Sequence, residues 1–154
     1  MSKAFTKEED GAEQPVVIRH RPSLPEGTPN YVTVRSLQLL RAELAAAELG
    51  ARRLELEQRI ASAVVAAPPA DRSEIRFGAH VTTRDEGDEI RHVQIVGVDE
   101  ADPAAGLIAF VAPLARALLG SHVGDSVTVR TPGGAEELEI VAIEYDDPSD
   151  GSDP

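Results

Sequence analysis

The stretch Leu107 to Asp125, LIAFVAPLARALLGSHVGD, constrains the chain most, because strand, helix and strand signals follow one another in it without a gap. Leu107 to Val111 is a short apolar run with aromatic and β-branched members, the composition of a buried strand. Ala112-Pro113 stops it, since proline has no N–H for a ladder but suits the first turn of a helix. Leu114, Ala115, Arg116, Ala117, Leu118 and Leu119 are good helix formers, and Gly120 stands where a left-handed residue closes a helix. The spacing predicts a helix of about two turns. Val123-Gly124-Asp125 then turns the chain into Ser126–Arg130, which alternates as a half-buried strand does.

The residues before this stretch switch to the same period of two. Ile75, Phe77, Ala79 and Val81 alternate with Arg76, Gly78, His80 and Thr82, and a turn at Glu86-Gly87-Asp88 leads back through Ile90 to Val98, predicting a β-hairpin. Asp99 to Gly106, DEADPAAG, reads as a loop whose carboxylates Asp99, Glu100 and Asp102 are expected to be solvated, with binding of a cation or a basic protein surface as the alternative. After a turn at Thr131-Pro132-Gly133-Gly134, Glu137 to Tyr145 alternates as a closing strand. Residues 75–145 thus predict an α+β domain of about five mostly antiparallel strands with one short helix.

N-terminal to it the period is that of a helix. Thr33 is a candidate N-cap, and Val34, Leu37, Leu40, Leu44 and Ala47 make one apolar stripe. A second stripe, Leu56, Ile60, Ala63 and Ala67, follows Gly50 on a segment expected over Ala51 to Ala66. Two stripes joined at a glycine predict an antiparallel helical hairpin over 31–67, each arm ~16 residues or ~24 Å long. A single long helix is the alternative, because one glycine costs only ~1 kcal/mol. Residues 68–74, with Pro68-Pro69, read as a linker, 1–30 as extended or disordered around the apolar triplet Val16-Val17-Ile18, and 146–154 as a disordered acidic tail.

Charge narrows the function classes. A net charge of -12 argues against a partner bound through its phosphates, and favours a basic protein surface or channel. There are no cysteines and no apolar run of membrane-spanning length, so a soluble, cytoplasmic protein is expected. The four histidines, His20, His80, His92 and His122, stand one per segment without metal-ligand spacing, no serine sits in a nucleophile motif, and no cofactor motif is present. Asp146, Asp150 and Gly151 hint at a calcium loop but lack its closing glutamate.

With these residues laid out, the chain resembles the Gre family of bacterial transcript-cleavage factors. The likeness is strongest in IRFGAHVTTRDEG, QIVGVDEADPAAGLIAFVAPLARALLG, HVGDSVTVRTPGG and LEIVAIEY, and the opening PNYVT resembles the start of the family's coiled coil. The resemblance implies a short N-terminal antiparallel coiled coil and a C-terminal domain of the FKBP-like fold. It implies docking of that domain at the secondary channel of RNA polymerase through Asp99, Pro113, Leu114, Arg116 and Leu118, with the coiled coil projecting inward. The oligomeric state stays open.

Two departures shape the expectation. The family's hairpin is longer, and its tip carries an acidic signature that helps hold a second Mg²⁺ for RNA cleavage by the polymerase. Here the tip is Glu48-Leu49-Gly50-Ala51-Arg52-Arg53, short and net positive, whereas in-line hydrolysis with two metals needs carboxylates. Val111-Ala112 also stand before Pro113 where the family more often has polar residues. The expected function is a regulator, not an enzyme, that binds the polymerase without cleavage chemistry. A cleavage factor using Glu48 or Glu55, a dimerising adaptor and a prolyl isomerase are the alternatives, the last poorly served by only Phe77, Phe110 and Tyr145.

Overall fold

The structure is a computed structural model and describes residues 21–146. The expectations for Val16-Val17-Ile18 and for Asp150 and Gly151 lie outside those residues. The α+β architecture is a helical hairpin followed by a curled, mostly antiparallel sheet with one short helix against it.

Strand β1 (Asn30–Val32) leads into helix α1 (Val34–Ala46), and the Thr33 hydroxyl caps it by accepting from the Ser36 N–H at 3.0 Å. Gly50, at φ 143°, holds a backbone conformation open to glycine, and helix α2 (Ala51–Ser62) starts from it. The chain therefore forms the hairpin and not the single helix. Leu40 and Leu56 are the buried leucines between its arms. The arms have 13 and 12 residues, so they reach about 20 and 18 Å at ~1.5 Å per residue, less than the ~24 Å expected.

The shortening has a local cause. Ala63, expected on the stripe of the second helix, instead opens strand β2 (Ala63–Val65), which pairs parallel with β1 in the register Asn30↔Ala63, Tyr31↔Val64, Val32↔Val65. Val64 and Val65 are stiff β-branched residues that gain more from that ladder than from a further helical turn. Parallel neighbours need a crossover, and the whole hairpin supplies it.

The second sheet contains β3 (His80–Arg84), β4 (Ile90–Val96), β5 (Leu107–Ala109), β6 (Ser126–Thr131) and β7 (Gly134–Glu144) in the order β5-β4-β3-β7-β6. All pairs are antiparallel except β4 and β5. Helix α3 (Pro113–Leu118) connects β5 to β6, with Gly120 at φ 89° just beyond its end. Ala115 and Leu118 from α3 complete a core with Ile75, Ala79, Val81, Ile95 and Ile140. A smaller cluster, Val98, Ala101 and Ala109, lies under Leu24, Val111 and Ala112. The Tyr145 hydroxyl fastens the start of the domain by donating to the Glu74 carbonyl and accepting from the Arg76 N–H at 2.8 Å.

The hairpin base packs directly on this sheet. A Cβ on Gly97 would lie 2.2 Å from the Tyr31 carbonyl oxygen, so backbone meets backbone there. The Tyr31 ring closes a triad with Phe77 and Phe110 at centroid distances of 5.8 and 5.6 Å, and the two phenylalanines are 5.5 Å apart.

Two expectations follow. Gly97→Ala should cost roughly 1–3 kcal/mol in urea unfolding, as overpacking does, and a cost near zero would contradict the close approach. Burial pushes the Tyr145 phenol above its ordinary 10.0. Because its folded pKa is the higher, the phenol's contribution is fully present below pH 10 and is lost as pH rises through the folded value. Tyr145→Phe should remove that part of the alkaline fall in stability when the two proteins are titrated side by side.

Candidate functional site

Two surfaces contain the residues singled out by sequence, the hairpin tip and the face of α3. At the tip, α1 ends with the Ala47 N–H on the Leu44 carbonyl at 3.1 Å. Arg53 reaches back from α2 and donates to the Leu44 and Ala47 carbonyls at 3.4 and 3.2 Å, satisfying groups a helix C-terminus leaves open. It also pairs with Glu57 at 3.5 Å, one turn on. Arg52 donates to Glu43 across the hairpin at 3.0 Å and pairs with Glu55 at 3.4 Å. The Glu43 hydrogen bond raises the pKa of its guanidinium above the usual value.

The two arginines that make the tip sequence net positive are therefore paired. Arg52 and Arg53 both face glutamates, and they lock the turn instead of projecting charge. Glu55 is held by Arg52 and Arg59, so it is no free carboxylate either. Glu48 stays exposed, without an ion pair among the described residues, beside Leu49, which is 92% exposed.

The α3 set divides. Pro113 opens the helix and Arg116 follows three residues later, both exposed and on one face. Leu114 is half-buried against the core. Leu118 is fully buried in that core, so it is corrected from surface contact to packing residue. Asp99 is also corrected. Its side chain is 2% exposed, and one oxygen receives Arg21 at 2.7 Å and Arg59 at 3.0 Å. Neighbouring Glu100 is buried too, accepting from the Thr33 hydroxyl with Arg35 at 3.9 Å. These are anchors and not solvated loop acids; ionised carboxylates go inside only when charge-paired and hydrogen-bonded. Among this loop's expected solvated acids only Asp102 is left half-exposed.

His122, read from sequence as isolated, comes together with Asp71 and Glu74, one donor atom of each within 4.8 Å of the others. Each carboxylate already has a partner, since Glu74 pairs with Arg76 at 2.9 Å and Asp71 accepts from the Ser73 N–H at 3.0 Å. The Ser73 side-chain hydrogen bond keeps the Asp71 carboxyl below its ordinary range. A groove of about 450 Å³ on the sheet, lined by His80, Thr82, His92, Gln94, Glu144 and Asp146 among others, holds internal pairs such as His80–Asp146 at 3.0 Å. Among the described residues no helix is long and apolar enough to cross a membrane.

Residues 70–145 match the family described as "Transcription elongation factor, GreA/GreB, C-term". Residues 70–145 form a domain of that family. It is 48% identical to Transcription elongation factor GreA of Paracoccus denitrificans over 92 residues, covering 59% of each chain. It is 51% identical to the same factor of Agrobacterium fabrum over 74 residues, 47% of each. The chain thus spans less than two thirds of the curated relatives it matches. Among solved structures, GreA/GreB from Nitrosomonas europaea matches at 25% identity over 77% of this chain and 99% of that one, with a TM-score of 0.45. GreA factor homolog 1 of Thermus thermophilus matches at 23% over 76% and 99%, with a TM-score of 0.44.

Truncation should separate the two kinds of α3 residue. Leu118→Ala should cost about 2–5 kcal/mol in urea unfolding, and Arg116→Ala within ~0.5 kcal/mol. Equal costs would contradict the division.

Proposed function

We propose that this chain is a Gre-like transcription elongation regulator that binds bacterial RNA polymerase at the secondary channel without stimulating transcript cleavage. In this reading residues 75–145 dock on the polymerase through the face carrying Pro113 and Arg116, with Leu114 at its edge. Residues 31–67 project, and 68–74 connect the two. The printed function of the relatives and the family of the sheet domain support the elongation part.

The tip carries the noncatalytic part. Stabilising a Mg²⁺ beside a substrate phosphate takes carboxylate ligands, and hydrolysis by two metals takes several. The hairpin end offers Glu48 as its unpaired carboxylate, while Glu43, Glu55 and Glu57 are spent on Arg52, Arg53 and Arg59. A lone exposed acid next to an exposed leucine does not fit that metal. An arm of about 20 Å, short for its family, also limits reach.

The test uses core polymerase from the source bacterium and backtracked elongation complexes. The protein should be retained at micromolar concentration, Pro113→Ala with Arg116→Glu should weaken retention about tenfold, the equivalent of ~1.4 kcal/mol, and the RNA should keep its length. Absence of binding contradicts the polymerase reading. RNA shortening that Glu48→Gln abolishes would make the chain a cleavage factor with Glu48 as its metal-holding acid.

A further inference from the structure

We propose that Asp99 is the positioning residue that fixes the direction of the helical hairpin, joining the sheet domain, α2 and an N-terminal strap formed by Arg21–Leu24. Its carboxylate, in the turn that follows β4, is buried and takes one arginine from each of two distant segments, Arg21 at 2.7 Å and Arg59 at 3.0 Å. Both guanidiniums sit on Oδ1, while Oδ2 is buried without a partner. No second protein donor reaches the carboxylate through Oδ2, so losing either arginine leaves charge poorly compensated in the interior.

Three further contacts make this a joint and not a single tie. Glu100, the next residue, accepts from Thr33, the cap of α1, while Asp99 holds Arg59 in the last turn of α2. Consecutive residues of one loop thus hold one arm each, which sets an orientation as well as a distance. Leu24 packs on the cluster of Val98, Ala101 and Ala109, the first of which precedes Asp99, and this seats the strap. Arg59 also binds Glu55, Glu55 binds Arg52, and Arg52 binds Glu43, so ion pairs run from the joint to the tip. Exposed pairs are individually weak, but a network anchored at a buried end is worth more than its members.

The purpose of the joint rests on the polymerase reading, since a projection entering a channel must point along it. Its existence is tested on the free protein, so either can fail alone. The chain has no cysteine, which allows spin labels at Leu49→Cys on the tip and Arg130→Cys on β6. Electron–electron distance measurements should give one narrow distribution. Arg21→Ala and Asp99→Asn should each widen it about twofold by uncoupling the buried charge, and the double variant should widen it no further than the singles. Arg21→Lys should restore part of the narrowing, because it returns the charge without the planar fork. Amide exchange of the sheet core should stay unchanged throughout. Single variants as narrow as the parent would overturn the proposal, as would widening that appears only together with lost core protection.

Discussion

Between Tyr31 and Gly97 there is no room for a side chain, and much of the molecule is arranged around that contact. It brings the strand that starts the hairpin against the end of β4. The three rings of Tyr31, Phe77 and Phe110 then close over the seam from both sides. Two short helices with few buried leucines would be marginal by themselves, since nucleation is costly and isolated helices of this length barely hold in water. Here the hairpin leans on a sheet that has a full core of its own, and β1 and β2 pair at its foot.

The charges follow the same logic. In this acidic chain the three arginines of α2 are placed where a carboxylate or a helix end needs them. Arg53 closes the end of α1, Arg52 ties α2 across to Glu43, and Arg59 reaches the sheet domain through Asp99. Their cost is that the tip offers little chemistry of its own. In the function proposed above, holding a partner and assisting its reaction are separable, because that docking would use the shape of the α3 face whereas metal-assisted hydrolysis uses free carboxylates.

Much of this was legible in the sequence where local chemistry decides structure. Thr33 announces a helix start, Gly50 a break, and Leu107 to Asp125 a strand, helix and strand, because caps, glycines and proline act through their own backbone. What sequence concealed depends on distant partners. Ala63 to Val65 continue a helical stripe on paper, and only β1, thirty-odd positions earlier, turns them into a strand. Asp99 and Glu100 look like solvated loop acids because nothing in DEADPAAG reveals Arg59, Arg21 or Thr33. Leu118 was misplaced for a simpler reason: a two-turn amphipathic helix has one buried side, and the sequence does not say which leucines lie on it. The β-branched pair Val64-Val65 was the one available warning that α2 would stop early.

The central claim is that hairpin and sheet tumble as one body. Residual dipolar couplings from backbone amides of α1, α2 and β3 to β7, recorded on the full chain in a dilute aligning medium, test it most directly. A single alignment tensor that fits hairpin and sheet amides together is the expected result. Two tensors of different magnitude or orientation, one for the helices and one for the strands, would show that the hairpin swings freely and that the seam at Gly97 does not hold.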